Sequence, residues 1–253
     1  MRALRSDEAR AALAAALGAG DIASAERTWR SLAEADPEAP RVWPDGVALA
    51  GWRGDRAAVA EREAAGSAAL EAAGDWRDRF ALSLAAGEAH LCLADLRGAL
   101  PRLGRALGQT EWHPDDPAAV HALLAVAQVH ALHTAPRKAL EQVARALDRP
   151  AARTPRAAAS AHANAARWVR LVASLRLGRL TRVAAARRTD RLAQRAHGAG
   201  ERPLAVRLAA EAAVVRGDAY ALEHALARAD ALDLAGVRGR VTLLAQALQR
   251  APR

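Results

Sequence analysis

Arginine is the residue type whose spacing most suggests chemistry in this chain. Residues 137–207 contain 17 basic and 4 acidic side chains. On a helix, Arg187, Arg188, Arg191 and Arg195 fall within roughly 100° of one another. Guanidinium groups bind carboxylates and phosphates through paired hydrogen bonds. We therefore predict an anionic partner for a set of eight residues in this stretch: Arg176, Arg179, Arg182, Arg187, Arg188, Arg191, Arg195 and Trp168.

The same arginines are open to a second interpretation, a solvated surface in a chain that uses arginine almost throughout. Lys138 is the only lysine, so the bias towards arginine need not reflect function. No aromatic residues interleave with the arginines of the 179–195 segment, which argues against stacking of single-stranded bases.

Residues that could support catalysis or hold a cofactor are sparse. The sequence has neither a phosphate-binding glycine motif nor His-Glu-x-x-His. His130 and His133 lie one helical turn apart, but His90 and His130 share one repeat position, which favours a structural role. Cys92 is the only cysteine and lies between two leucines. We expect no enzyme activity, no cofactor and no metal.

Six tryptophans are the bulky side chains of a chain rich in alanine and leucine. Trp29 and Trp168 fall near positions that pack between helices, so the core is the first expectation for both. Up to two of the others are expected to be exposed partner contacts, because Trp concentrates binding energy at interfaces. Those others are Trp43, Trp52, Trp76 and Trp112.

Charge is divided unequally along the chain. Residues 1–135 carry a net charge of −5 and residues 136–253 a net charge of +14. This asymmetry allows head-to-tail self-association that salt would screen. The N-terminus lacks the apolar stretch of a signal peptide, and no uncharged run reaches the ~20 residues of a membrane helix. We expect a cytoplasmic protein with no membrane contact.

Helix-to-helix corners recur along the chain and position these residues. Gly20-Asp21, Gly54-Asp55 and Gly217-Asp218 are the clearest, because Gly ends a helix in the left-handed conformation and Asp caps the next helix. Weaker corners begin at positions 94, 134 and 178, so the step from one corner to the next is roughly 34 to 44 residues. Residues 98–107 also align with residues 138–147 at a shift of 40, with five identical positions of ten.

This pattern resembles the tetratricopeptide repeat (TPR) family. Three units carry the resemblance in order: Gly20, Asp21, Ala25, Trp29, Leu32 and Pro37; Leu84, Gly87, His90, Asp95, Ala99, Leu103 and Ala106; and Leu123, Ala127, His130, Ala139, Val143, Ala146 and Pro150. The step of about 40 residues is longer than the usual period of the family, which is about 34 residues. It resembles the degenerate repeats fused to bacterial transcription activators.

The resemblance and the corners together predict one all-α domain, a right-handed α-solenoid of about six antiparallel helix pairs plus a C-terminal capping helix. The predicted repeats are 6–37, 40–74, 75–110, 115–150, 157–198 and 201–232, with a cap at 236–250.

Three functions follow as expectations. The first is a protein-interaction scaffold that binds a peptide or partner protein in the concave groove, which the first helix of each pair lines. The second is nucleic-acid binding or transcription-linked regulation through the Arg-rich surface of residues 137–207. The third, a repeat-built enzyme or small-molecule sensor, requires a closed pocket with convergent polar groups, which the sequence does not show.

Overall fold

The computed structural model describes residues 2–153 and 156–250, and within them the chain is all α-helical. Thirteen α-helices occur in these ranges: α1 (Arg2–Ala19), α2 (Ile22–Ala35), α3 (Trp43–Arg53), α4 (Arg56–Ala73), α5 (Trp76–Cys92), α6 (Leu96–Gln109), α7 (Pro117–Leu132), α8 (Pro136–Leu147), α9 (Arg156–Arg176), α10 (Arg182–Gly198), α11 (Arg202–Arg216), α12 (Ala219–Ala231) and α13 (Gly236–Gln249). Short 3-10 turns precede α3 and α9, at Pro40–Val42 and Pro150–Arg153.

The predicted corners at 20, 54 and 217 form through the glycine and aspartate residues from which they were predicted. Gly20, Gly54 and Gly217 adopt φ values of 72°, 70° and 77°, which end their helices in the left-handed conformation. The aspartates that follow accept hydrogen bonds from backbone amides in the next helix. At the fifth corner, which begins at position 178, the next helix, α10, starts at Arg182, because Thr181 is the residue whose side chain caps it.

The helices pack as neighbouring antiparallel pairs, which confirms the all-α helical-repeat class. The first helices of successive pairs also contact one another, α3 with α5 and α7 with α9. The fifth pair is the exception, because α10 packs chiefly against α11 and only loosely against α9. This displacement of α10 leaves the outward face of α9 partly uncovered.

The row of pairs curves until its two ends meet. Helix α1 contacts α11, and α13 contacts α3, α5, α7 and α11. Helix α13 therefore lies inside the curve, against the first helices of several pairs, and is more than a cap on the sixth pair. Its buried residues, among them Val237, Val241, Leu243 and Leu248, form one broad apolar side, whereas Arg238, Thr242 and Gln246 on the opposite side are exposed.

Three clusters of buried apolar residues form the core. The largest runs from α5 to α11 and includes α13, and a small one joins α3, α4 and α5. The third links the two ends of the chain, since Leu13, Trp29 and Leu49 belong to one cluster with Val206 and Val237. Among the described residues, no helix is both long enough and apolar enough to cross a bilayer.

Candidate functional site: an arginine-lined groove

A groove of about 600 Å³ lies between α8 and α10 and is floored by α9. It opens where α10 leans towards α11, and the turn between α9 and α10 closes one end with Gly178 at a φ of 68°. The groove is lined by Leu140, Arg167, Arg170, Leu171, Ser174, Arg179, Leu180, Arg188, Arg191, Leu192 and Arg195.

Helical spacing explains why arginines face one another across this groove. On α10, Arg188 and Arg191 are three positions apart and Arg195 follows four positions later, so all three share one face. On α9, Arg167 and Arg170 repeat this spacing of three. Between the two rows lie leucines, of which Leu171 and Leu192 are buried. The groove therefore has an apolar floor and a basic rim.

The basic rim has no acidic counterpart. Among the described residues, no Asp or Glu lines the groove, and none of its six arginines forms an ion pair within 4.0 Å with a carboxylate. Their weak polar contacts are from Arg167 Nη1 to Asn164 Oδ1 at 3.5 Å and from Arg191 Nε to the Arg187 carbonyl at 3.4 Å. Six unneutralised charges around one concavity create a positive potential that attracts anions.

The groove contains four of the arginines predicted from the sequence, Arg179, Arg188, Arg191 and Arg195. Arg182 and Arg187 are exposed on the same helix but outside the groove lining. Arg167 and Arg170 were missed, although their spacing on the preceding helix is the same signal that marks Arg188 and Arg191.

Two residues predicted as partner contacts are in the interior. Arg176 is 6% exposed and donates hydrogen bonds to the carbonyl oxygens of Ala131 and His133, so it ties the end of α9 to that of α7. Burial and then the charge of Arg250 lower its pKa. Trp168 is 3% exposed, and its Nε1 donates to Glu211 Oε2 at 2.6 Å. Neither residue can contact a partner at the surface.

A second groove provides an internal reference. It lies between α4 and α6 above α5 and has a volume of about 380 Å³. Its lining carries both signs of charge, with Glu63 and Glu71 facing Arg79 and Arg105. Glu63 Oε1 lies 3.7 Å from Arg105 Nη2, so basic charge is neutralised within this lining. The excess of positive charge is a property of the α8–α10 groove and is not a consequence of groove geometry.

The other residues that could act in catalysis or bind a metal are buried or paired with neighbouring side chains. Cys92 is buried, and burial raises the pKa of its thiol. His90 Nδ1 lies 2.9 Å from Asp95 Oδ2 at the third corner. His130 is half-buried, and burial, followed by the charges of Lys138 and His133, lowers its pKa. The described residues include no group of three or more His, Cys, Asp or Glu that could hold a metal ion.

Of the tryptophans, only Trp112 projects into solvent among the described residues, with 87% of its surface exposed. Trp29 is 7% exposed, in the core, and donates from Nε1 to the Val42 carbonyl. Trp76 stacks on His113 with 3.9 Å between ring centroids, and Trp43 donates to the Pro37 carbonyl. One exposed tryptophan is therefore present, in the loop between α6 and α7, and its role as a partner contact stays a prediction.

Comparison with protein-family models, curated proteins and solved structures finds no match for this chain. The resemblance to TPR repeats therefore rests on the residues quoted above and stays a prediction.

Proposed function

We propose that this protein is an interaction scaffold that binds an acidic segment of a partner protein in the groove between α8 and α10. The observation that carries the proposal is the set of six unpaired arginines above a floor of leucines. A carboxylate can accept two parallel hydrogen bonds from one guanidinium, so the rim matches Asp and Glu side chains. The floor matches apolar side chains between them.

The proposed binding surface differs from the concave groove expected from the sequence. Helix α13 packs along the inner faces of α3, α5, α7 and α11, where a peptide would lie in an open superhelix. Its buried residues make it an integral part of the core. A partner of peptide size therefore has better access to the outer groove.

A TPR-like origin of the scaffold is part of this proposal. It is supported by small residues at equivalent positions in the second helices, where Ala99 and Ala139 are both 0% exposed. It is also supported by Gly87, at which a Cβ atom would overlap the Leu103 side chain of the paired helix. Such close approach within a pair is what small residues permit.

A polypeptide is a better occupant than a nucleic acid for this groove. Proteins that hold single strands without sequence preference stack bases on aromatic side chains. Among the described residues, the lining contains no aromatic side chain, and Trp168 faces the interior. The leucine floor adds apolar contacts that a sugar-phosphate backbone cannot use.

A binding titration tests the proposal with two charge-matched variants. The probe is a fluorescent peptide of alternating Glu and Leu, and its anisotropy is measured near physiological salt. Arg191→Glu with Arg195→Glu reverses two charges in the groove, and we expect affinity to fall at least tenfold, about 1.4 kcal/mol. Arg182→Glu with Arg187→Glu makes the same change in net charge on the same helix, outside the lining, and should change affinity by less than threefold.

Two outcomes would overturn the proposal. Equal losses in both double variants would mean that the peptide responds to net charge alone. Tighter binding of a 20-nucleotide single strand or a 20-base-pair duplex than of the peptide would instead make the Arg-rich surface a nucleic-acid site, with the steep salt dependence typical of phosphate contacts.

A further inference from the structure

Polar side chains on the inner faces of the first helices form a column inside the curve. Glu88 on α5, Gln128 on α7, Trp168 on α9 and Arg207 on α11 follow one another at nearly equal steps of roughly 40 residues. They occupy one register position in four successive pairs, so the repeat brings them to the same side. Helix α13 adds Arg240, whose Nη2 donates to Gln128 Oε1 at 3.1 Å.

Each of the two arginines of this column has one buried nitrogen, Nε, without a hydrogen bond. Arg240 is 4% exposed, its Nε is buried without a partner, and its one hydrogen bond goes to Gln128. Arg207 Nε is also buried without a hydrogen bond, although it forms an ion pair with Glu211 Oε1 at 3.5 Å. The other oxygen of Glu211 accepts from Trp168. A buried guanidinium with unused donors is strongly destabilising unless an acceptor reaches it.

The charges of the two arginines act on the same neighbours. Burial lowers the pKa of Arg207, the carboxylate of Glu211 opposes this, and the charge of Arg240 adds to it. Burial would raise the pKa of Glu88, but its pairing with His121 and the charges of Arg240 and Arg207 hold that pKa below its ordinary value. Both arginines therefore lie close to Glu88 and to each other inside the fold, where the carboxylates of Glu88 and Glu211 offset part of their charge.

Solvent reaches this column at Glu88 and at the neighbouring His121. Glu88 Oε1 lies 3.8 Å from His121 Nε2, and their side chains are 38% and 44% exposed. The ring of His162 is 5.7 Å from that of His121, and its Nδ1 is buried without a partner. Three ring or guanidinium nitrogens without hydrogen bonds, on α9, α11 and α13, thus belong to the polar interior that opens beside Glu88.

We propose that Arg207 and Arg240 form an interior binding site for a small molecule that carries a carboxylate or phosphate group. The oxyanion accepts from the two guanidiniums, Gln128 and Trp168 flank it, and the opening at Glu88 and His121 admits it. Such a molecule supplies acceptors for the nitrogens that lack a hydrogen bond. The site is separate from the α8–α10 groove and does not depend on what that groove binds.

Thermal unfolding with two probes tests this site. Inorganic phosphate and succinate are compared with chloride at constant ionic strength, so the two probes separate the phosphate and carboxylate classes. At a hundredfold excess over the dissociation constant we expect one probe to raise the Tm by about 5 °C. Calorimetric titration measures the same affinity directly.

Substitutions of Arg240 in the interior, compared with substitutions in the outer groove, show at which site the probe binds. Arg240→Met should abolish the Tm response. Arg240→Lys keeps the charge but loses the forked donor geometry, so it should weaken the probe at least tenfold even if Arg240→Met does not fold. Arg191→Glu with Arg195→Glu should leave the response unchanged.

The proposal is overturned if neither anion raises the Tm of the wild-type chain above chloride, which would mean that water alone occupies the interior. It is equally overturned if Arg240→Lys binds the probe as tightly as the wild-type chain or if the response disappears in the outer-groove variant.

Discussion

At the scale of single residues, close backbone approach explains two glycines of α13. A Cβ atom on Gly239 would overlap the carbonyl oxygen of Cys92, and one on Gly236 would overlap that of Gly51. Neither glycine has a positive φ, so the requirement is for space and not for conformation. The backbone of α13 therefore packs directly against the backbone at the ends of α3 and α5, and only glycine leaves room for this contact.

Gly239→Ala should destabilise the chain, because the added methyl group would push α13 away from α5. Overpacking of this kind costs about 1–3 kcal/mol in the free energy of unfolding. Gly104, inside α6, has no atom within 4 Å of the place where a Cβ atom would lie, so Gly104→Ala should stabilise by about 0.5–1 kcal/mol through helix propensity. Urea unfolding measures both, and changes of the same sign would contradict the packing argument.

At the scale of helices, the sequence predicted what local chemistry determines. Gly-Asp corners and the spacing of apolar residues predicted where the helices lie along the sequence. Helical spacing also predicted that Arg188 and Arg191 share one face of α10. The place of α13 depends on which distant helices its apolar sides meet, and alanine and leucine faces do not encode that choice. Arg176 was misassigned for the same reason, because its burial depends on carbonyl groups at the end of α7.

The column of polar side chains inside the curve could have been predicted from the repeat spacing, although it matches no known motif. Glu88, Gln128 and Trp168 are separated by the same shift that aligned residues 98–107 with residues 138–147. Polar residues at one register position of successive repeats must share one face of the array. Arg240 lies outside the repeats, so its arrival beside Gln128 required the fold.

Arg62 joins three helices, and its removal should be costly. Its Nη2 lies 2.6 Å from Glu26 Oε1 on α2, its Nη1 donates to the Gly46 carbonyl on α3, and it stacks over Trp29. Burial would raise the pKa of Glu26, but Arg62 and Arg30 hold it below its ordinary value of 4.5. Arg62→Met leaves this carboxylate buried without its main partner, so we expect a loss of about 3 kcal/mol at pH 7.

The matched control is Arg30→Gln, which removes the other partner of Glu26, a side chain that is 61% exposed. Exposed ion pairs contribute little, so the expected loss is under about 1 kcal/mol. Burial raises the pKa of a carboxylate that has lost its main partner, so the deficit of Arg62→Met should begin to shrink before the pH reaches 4.5 and continue to shrink below it. Chemical denaturation at several pH values measures this, and a deficit that does not depend on pH would assign the loss to packing on Trp29 alone.

At the scale of the whole molecule, contact between the chain ends changes how stability is shared. In an open repeat array each unit contacts only its neighbours, so stability is a sum of local terms. Here α1 contacts α11, and one apolar cluster contains residues of α1, α2 and α3 together with residues of α11, α12 and α13. The first and last pairs should therefore unfold as one unit, although they lie at opposite ends of the sequence.

Leu13→Ala tests this coupling, because Leu13 is 1% exposed in the cluster that joins the ends. Truncating a buried leucine costs about 2–5 kcal/mol, and closure predicts that amide protection in α11–α13 falls with that in α1 and α2. Leu103→Ala in α6 removes a leucine that is 0% exposed from the largest cluster and should leave the two ends coupled to each other. Hydrogen exchange read by mass spectrometry distinguishes the cases, since an open array would confine the effect of Leu13→Ala to α1–α4 and leave α11–α13 protected.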